Sequence, residues 1–520
     1  MAIPSEKYAL LSVFDKTGIV ELAKSLVSLH FKIISTGGTA KTLLDNKIKV
    51  IPIQDITGNP ESFDGRMKTI SFQIEGGILY NRKNSKHVKE AKALKIKNIE
   101  VVVCNLYPFE ETVKAPKVKL AAATESIDVG GPTMVRAAAK NFENVLVLVD
   151  PSDYSPTIEL LKKGRINLQT RQNLAGKAFH HLSFYDAQIA KYLSTDKFSA
   201  EETLPGRFGI NLRYGENPHQ NAVVYFEPNT NSPLKKLTKL TGRDLSYVNF
   251  TDIASGLECV RVFDTPAAVV IKHNSPSGIA LGKTIDEALK QAVAADPESA
   301  FGGVIVLNKP LDLKTAKTFA GFKEANGVLI DIVAAPSVDG NAQEYVKGIR
   351  KSTGIYTFGK IPRIKSNTNH IRFFDGGYVT QDWDNNGDKT RSWKVVTRKK
   401  PSKQQLDQMK IAWKFIGRIK SNTILVMDSK LPMTRGIGSG QTSRIRSAKI
   451  ALEQAGKLAQ GAVLASDSFF PFDDTVKLAV KHGITAIVQQ GGSINDKLSI
   501  EAADRAGIAM VLTGERKFWH

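Results

Sequence analysis

Short unbroken apolar runs separated by amphipathic stretches dominate the first 150 residues, and this alternation constrains the fold more than any other feature. Residues 9–14 (ALLSVF), 100–104 (EVVVC) and 144–149 (NVLVLV) carry almost no polar interruption. A strand with one wet face alternates in polarity, so runs of this kind belong to strands covered on both sides, as in parallel sheets. Residues 18–30 and 39–45 read as helices, and residues 32–34 and 49–53 as further strands. Strands alternating with helices imply an α/β sheet with right-handed crossovers.

The remainder of the chain repeats the theme on a larger scale. Residues from about 153 to 195 read as helix, with no strand signal until residues 221–226 (NAVVYF). Strand candidates resume at 267–271, 304–307, 423–427, 461–464 and 486–488. Residues 338–393, rich in Gly, Asn, Asp, Lys and Arg, read as surface loops and short hairpins between two α/β lobes. A chain of 520 residues exceeds one ordinary core. The expected division is a domain over 1–152, a helical connector over 153–204 and a second domain over 205–520. That second domain is expected to hold lobes at about 205–337 and 394–520. No repeat of fixed period is evident.

With 42% hydrophobic and 24% charged residues, the composition is that of a globular protein. The opening MAIPSEKYALLSVFDK has no basic segment leading into an apolar stretch, so no secretory signal is expected. No apolar run approaches the length of a membrane span. The two cysteines, Cys104 and Cys259, exclude a disulfide scaffold and fit a reducing cytoplasm. A formal net charge of +21 favours anionic partners, but the lysines are dispersed, as on any solvated surface.

Four segments of the first part can carry chemistry. Thr36-Gly37-Gly38-Thr39 follows a strand and opens a helix, where free amides suit a phosphate; a tight turn alone would need the same glycines. Arg66 and Lys68, beside Thr69 in a glycine-bearing loop, suit a phosphate or an oxyanion, or simply a solvated loop. Tyr107 follows a buried strand, where ligands of α/β sheets collect and where a structural tyrosine would also sit. Asp128 precedes Gly130-Gly131-Pro132 at a helix start, as a cap or as an acid–base group, and Lys140 lies in the same helix. The segments SVFDKTG, STGGTAK, DGRMKT, CNLYPFEETV and IDVGGPTMVRAAAKN, in this order, closely resemble the inosine monophosphate (IMP) cyclohydrolase domain. That resemblance, over residues 8–155, implies a methylglyoxal-synthase-like fold and closure of the six-membered ring of a formamido-carboxamide ribonucleotide. By position it implies that Lys16, Thr36, Gly37, Gly38, Thr39, Arg66, Lys68, Thr69, Cys104, Asn105, Asp128 and Val129 hold the nucleotide. Lys140, Tyr107, Asp128 and Lys68 would be its catalytic set. The chain departs from the family pattern in two places. Two histidines usual after the Lys-Thr are replaced by Ser71 and Glu75, and a serine usual before Asp15 is Phe14.

The second part has its own set. A buried run ends in Lys272-His273, a possible oxyanion stabiliser and base, although a lone histidine is more often structural. Arg213-Tyr214 and the Gly436–Arg444 segment suit phosphate recognition, and as readily form flexible surface loops. Phe469, Phe470 and Phe472 around Pro471 suit stacking on a flat heteroaromatic ring, or core packing. LRYGENPHQ, LSYVNFTDI, VIKHNSPSG, SAFGG, SNTILV, GIGSGQTSRI, ASDSFFPF, QQGGSIND, EAADRAGIAM and the terminal RKFWH resemble, in order, the aminoimidazole-carboxamide ribonucleotide (AICAR) transformylase domain of the same bifunctional family. This implies two cytidine-deaminase-like lobes without the deaminase zinc, and no metal ligand set is present. It implies His273 as general base and Lys272 as oxyanion stabiliser. Arg213, Tyr214, Gly302, Asp331, Asn422, Arg444 and Arg516 would contact the nucleotide. Ile445, Phe469, Asp474, Gly492 and Ser493 would line the side of 10-formyltetrahydrofolate, the co-substrate. It also implies a homodimer.

The expected function is therefore formyl transfer to AICAR followed by closure of formyl-AICAR to IMP, with small-molecule partners and neither membrane nor nucleic acid. One rival keeps only the transformylase, because the departures at 71–75 and Phe14 flank the cyclohydrolase segment. A second, a nucleic-acid binder, rests on charge alone and lacks aromatics interleaved with its basic residues. A nicotinamide-dependent oxidoreductase lacks the fingerprint glycines.

Overall fold

In the computed structural model, which describes residues 6–63, 65–115, 117–362, 369–384 and 390–520, the early apolar runs become five strands. These are β1 Lys7–Val13, β2 Phe31–Ser35, β3 Val50–Pro52, β4 Ile99–Asn105 and β5 Leu146–Leu148. They form one sheet in the order β3-β2-β1-β4-β5, parallel throughout. The chain steps outward from β1 on one side and then lays β4 and β5 on the other. Such a reversal opens a crevice beyond the carboxyl ends of β1 and β4. Alternate side chains serve opposite faces. Leu10, Val102 and Val147 pack with Met134 and Leu182, while Leu11, Val101 and Val103 pack with Leu22 and Leu26. Burial on both faces is why these strands read as unbroken apolar runs.

The expected helical stretch is two helices, Tyr154–Lys162 and Leu168–Leu193. The longer one is more than a connector. It lays Ala175, Ala178, Leu182 and Tyr185 against the first face of the sheet. Two compact units result, residues 1–207 with 226–229, and residues 208–225 with 230–520. Strand β6, Arg207–Leu212, pairs with β7, Ala222–Phe226, in a ribbon that the sequence did not signal before residue 221. Of β6 only Leu212 is buried, so no apolar pattern marks it.

The second unit contains two six-stranded sheets. The first uses β8 Thr238–Thr241, β9 Ala267–Lys272, β10 Ser275–Leu281, β11 Val304–Leu307, β12 Ile332–Ala335 and β13 Gly354–Thr357, in the order β10-β9-β11-β12-β13-β8. A separate hairpin, β14 Asn369–Phe374 and β15 Gly377–Asp382, follows. The second sheet uses β16 Lys394–Val395, β17 Ile424–Met427, β18 Thr434–Gly438, β19 Val463–Ser466, β20 Ala486–Gln489 and β21 Ala509–Leu512, in the order β18-β17-β19-β20-β21-β16. The two orders are equivalent strand for strand, including which neighbours are antiparallel. The chain thus contains a structural duplication that no sequence period reveals. The sheets meet at their β10 and β18 edges, where Leu281 N–H donates to the Pro432 carbonyl at 2.9 Å.

The described residues of the stretch 338–393 include more regular structure than its composition suggests. They supply the helix Gly340–Ile349 and β13, a full member of the first lobe's sheet. Ala342 and Val346 are its two buried helical positions, four apart, and the partly buried Tyr345 and Ile349 extend the same apolar stripe.

Candidate active sites

The crevice of the first unit is a cleft of about 680 Å³. It gathers Lys16, Thr36, Gly37, Gly38, Thr39, Arg66, Lys68, Thr69, Asn105, Tyr107, Asp128 and Val129 from separate segments. Most stand at or beyond the carboxyl end of a strand or at the start of a helix, while Arg66, Lys68 and Thr69 come from the loop between the helices Gln54–Thr57 and Phe72–Leu79. Asn105, the last residue of β4, accepts from the Phe14 and Asp15 N–H groups at 2.6 and 2.9 Å, and so sets the loop leaving β1. Thr39 Oγ1 donates to the Val13 carbonyl at 3.0 Å. Lys16 Nζ donates to the carbonyls of Val13 and Phe14 at 2.6 and 2.9 Å, and burial lowers its pKa.

Asp128 is the acid of this cleft. Burial raises its pKa, against lowering hydrogen bonds from the Gly131 and Tyr107 N–H groups. The Gly131 N–H reaches Oδ1 at 2.8 Å, and the Tyr185 hydroxyl accepts the Asp128 N–H at 2.8 Å. A Cβ on Gly131 would stand 2.6 Å from Asp128 Oδ2, so only glycine lets the carboxylate lie on the helix start. Lys68 pairs with Glu61 at 2.6 Å and Arg66 pairs with Glu125. Both ion pairs lie at the surface of the loop, with all four side chains partly or largely exposed. Neither glutamate stood out in the sequence, because acidic residues near a basic loop are ordinary surface chemistry.

Two expected residues stand apart from this pattern, and one departure from the family pattern joins it. Cys104 is fully buried, with its thiol pKa pushed up by burial, so its side chain does not reach the cleft. Lys140 is exposed at the last position of the helix Gly130–Lys140, whose first residues line the cleft. At about 1.5 Å per residue that is roughly 15 Å away along the axis. Phe14, in place of the usual serine, lines the cleft and meets the Tyr107 ring edge-on at 5.6 Å.

Glu75, one of the histidine replacements, lies in the helix Phe72–Leu79 outside the cleft lining. Both its carboxylate oxygens are buried without a hydrogen-bond partner, and burial raises its pKa to about 7 from 4.5. The folded state holds this proton to higher pH than the unfolded chain does, so stability falls as pH rises from about 4.5 to about 7. Glu75→Gln cannot ionise. Its melting temperature is expected to match that of the parent near pH 4.5 and exceed it at pH 8; a pH-independent difference would contradict this.

In the second unit, β9 and β10 are joined by two residues, His273 and Asn274, with φ of 55° and 59°. Positive φ at both positions is the geometry a two-residue hairpin needs, and is costly without glycine. The strain is held from below. The buried Asp252, in the helix Tyr247–Val260, accepts the Asn274 N–H at 2.6 Å, and Ser255 Oγ donates to Asn274 Oδ1 at 3.2 Å. Burial raises the Asp252 pKa, with the nearby His273 lowering it. Lys272 Nζ donates to the Phe301 carbonyl at 2.9 Å, next to Gly302, whose φ is 72°.

Asn422 and Arg444 belong to one buried cluster: Arg444 Nη2 donates to Asn422 Oδ1 at 2.7 Å and Nη1 pairs with Asp467. Asp331, expected on the nucleotide, is engaged by Arg243 at 2.6 Å and Arg350 at 2.7 Å. Arg213 lies over the Tyr214 ring and Arg516 over Phe518, at 5.0 and 4.5 Å. Of the three phenylalanines around Pro471, Phe470 is fully buried, Phe472 is exposed and Phe469 lies between, so at most two of the three rings are open to a ligand. Ile445 is half-buried, Asp474 Oδ1 accepts the Thr475 N–H at 2.7 Å, and the Gly492 N–H donates to Asp496 at 2.6 Å. Ser493 Oγ accepts the Asn495 N–H at 3.1 Å. Sequence reading missed Asp252 and Asp467; the available signal was an acid inside an otherwise apolar helix face and an acid directly after a buried strand.

Residues 138–454 match the family model described as AICARFT/IMPCHase bienzyme, and residues 18–133 match the MGS-like domain. The chain belongs to the AICARFT/IMPCHase bienzyme family. A bifunctional purine biosynthesis protein PurH of Acetivibrio thermocellus is 45% identical over 99% of this chain and 100% of its own length. Proteins of the same name from Halalkalibacterium halodurans and Nostoc punctiforme are 43% and 44% identical, with the same coverage. A solved chain titled "Crystal structure of ForH" is 37% identical, covering 36% of this chain and 95% of its own at a TM-score of 0.34. Among the described residues of this bienzyme, no group of three or more His, Cys, Asp or Glu could hold a metal, and no helix is long and apolar enough to cross a membrane.

Proposed function

We propose that the two activities of this bienzyme are divided between its units, with formyl transfer in the second and ring closure in the first. The chain carries out the last two steps of IMP synthesis, using 10-formyltetrahydrofolate as co-substrate. In the first step the AICAR amine attacks the formyl carbon, and the tetrahedral intermediate expels tetrahydrofolate. His273 takes the amine proton and Lys272 stabilises the oxyanion. In the second step the carboxamide nitrogen attacks the new formyl carbon, and water leaves. Asp128 takes the nitrogen's proton, and Lys68 stabilises the oxyanion and protonates it; loss of the former formamide N–H proton as the ring C=N forms then expels the hydroxyl, which Tyr107 protonates to water. Ring closure is assigned to these three because they share one cleft, which Lys140 does not line.

The observation that carries the reading is that cleft, where an acid held by the Gly131 and Tyr107 amides faces two exchangeable cations. Phosphate of the nucleotide would displace Glu125 from Arg66. The remaining binding assignments follow the family pattern, with Thr36, Gly37, Gly38 and Lys16 on the phosphate side. A homodimer fits the exposed Phe472 and Ile494 beside the folate-side residues, and sedimentation mass at assay concentration tests it. The two unpaired, buried cysteines fit a cytoplasmic enzyme.

Incubation with AICAR and 10-formyltetrahydrofolate, resolved by chromatography, is expected to yield IMP. Accumulation of the formylated intermediate would mean that Phe14 and Glu75 have removed the cyclase. No consumption of AICAR would overturn the whole reading.

A further inference from the structure

The duplicated lobes allow one position to be compared with its own structural equivalent. Asn308 follows β11 in the first lobe and Asp467 follows β19 in the second. The pairings Leu307 with Ala268 and Ser466 with Ile424 make the two positions equivalent. Asn308 Oδ1 accepts the Ala267 N–H at 2.8 Å; Asp467 Oδ2 accepts the matching Thr423 N–H at 2.9 Å. A neutral carboxamide is therefore enough to close the start of the central strand. In the second lobe the same position holds a carboxyl group at 0% exposure, which is costly to bury unless it is paired.

What the charge meets is the binding cluster. Arg444 Nη1 donates to Asp467 Oδ1 and, at 2.9 Å, to Ser466 Oγ, while Nη2 donates to Asn422 Oδ1. Asp467 Oδ2 also accepts from Ser421 Oγ at 2.5 Å. Asp467 thus grips both neighbours of Asn422 in the chain, Ser421 and Thr423, and reaches its side chain through Arg444. With the Asn422 oxygen turned to Arg444, its amide nitrogen points the other way. One N–H goes to the Gln441 carbonyl at 2.9 Å and the second is left for a ligand.

We propose that Asp467 is a positioning residue for formyl transfer: it neutralises Arg444 and aims the Asn422 amide at the nucleotide. This rests on the reading of the second unit as the transformylase. It also means that Arg444 acts less as a phosphate-binding cation than as a strut, since its charge is already compensated.

Asp467→Asn installs the residue that the first lobe uses, so the strand closure survives while the charge is lost. The expected result is a fall in formyl-transfer kcat of up to ~100-fold, as for a displaced positioning group. Ring closure of supplied formyl-AICAR, which occurs in the other unit, serves as the folding control and is expected to be unchanged. Combined with Asn422→Ala, Asp467→Asn is expected to add little further loss, because both act through one amide. Losses that multiply would mean a merely structural role, and transfer by Asp467→Asn equal to that of the parent would overturn the inference. Should the variant not fold, Ser421→Ala decides: it keeps the buried ion pair yet frees one side of Asn422, and unchanged kcat and KM there would also overturn it. A parent chain that transfers no formyl group would instead overturn the reading of the site on which the inference rests.

Discussion

Asp128→Asn is expected to slow ring closure by ~10²- to 10⁴-fold, the range for loss of a positioned acid–base group, while leaving formyl transfer intact. The substitution preserves volume and still accepts from the Gly131 N–H, now 2.8 Å from Oδ1. What it removes is the ability to take the carboxamide proton. Burial raises the Asp128 pKa, so in the parent the carboxylate form, and with it the cyclase rate, should rise with pH above the usual Asp range. That acid limb is expected to vanish in the variant. Steady-state rates on supplied formyl-AICAR across pH check both statements, and a variant retaining the parent's limb would assign the base elsewhere.

His273→Ala is expected to have the second large effect, a loss of formyl transfer of similar order with no change in ring closure. The hairpin should survive, because Asp252 holds it through the Asn274 backbone and, among the described residues, the imidazole makes no hydrogen bond for alanine to remove. The positive φ of 55° at this position still costs alanine some strain. Circular dichroism and ring-closure activity therefore accompany the measurement. An equal loss of both activities would indicate misfolding and not the removal of a base.

Much of the fold is legible in the residues. The apolar runs around Leu10, Val102 and Val147 specify buried parallel strands because both their faces are covered. Strands β12 (IVAA) and β13 (GIYT) did not stand out because half of each is alanine, glycine or threonine, whereas VIVL at 304–307 is an unbroken run of large apolar residues. β6 was missed because one buried residue in six leaves no pattern. The two lobes were implied by the family resemblance, but no repeat of fixed period reveals their duplication, because equivalent strand positions can be filled by different apolar side chains. At the sites, strand ends and glycine turns are the features by which Asp128, Tyr107, Lys272 and His273 can be singled out as candidates from the sequence. Residues that act through another group were not. Asp252, Asp467 and Glu61 make their contacts across long stretches of chain or from exposed loops, and spacing carries no trace of such pairs.

The claim that one chain houses two independent sites is tested most directly by mixing the two disabled variants. Asp128→Asn alone, given AICAR and 10-formyltetrahydrofolate, should stop at the formylated intermediate, and His273→Ala alone should consume nothing. Mixed together they should make IMP, because the intermediate released by one variant reaches the intact cleft of the other. A mixture that accumulates the intermediate, or leaves AICAR untouched, would contradict the division of the two reactions between the two units.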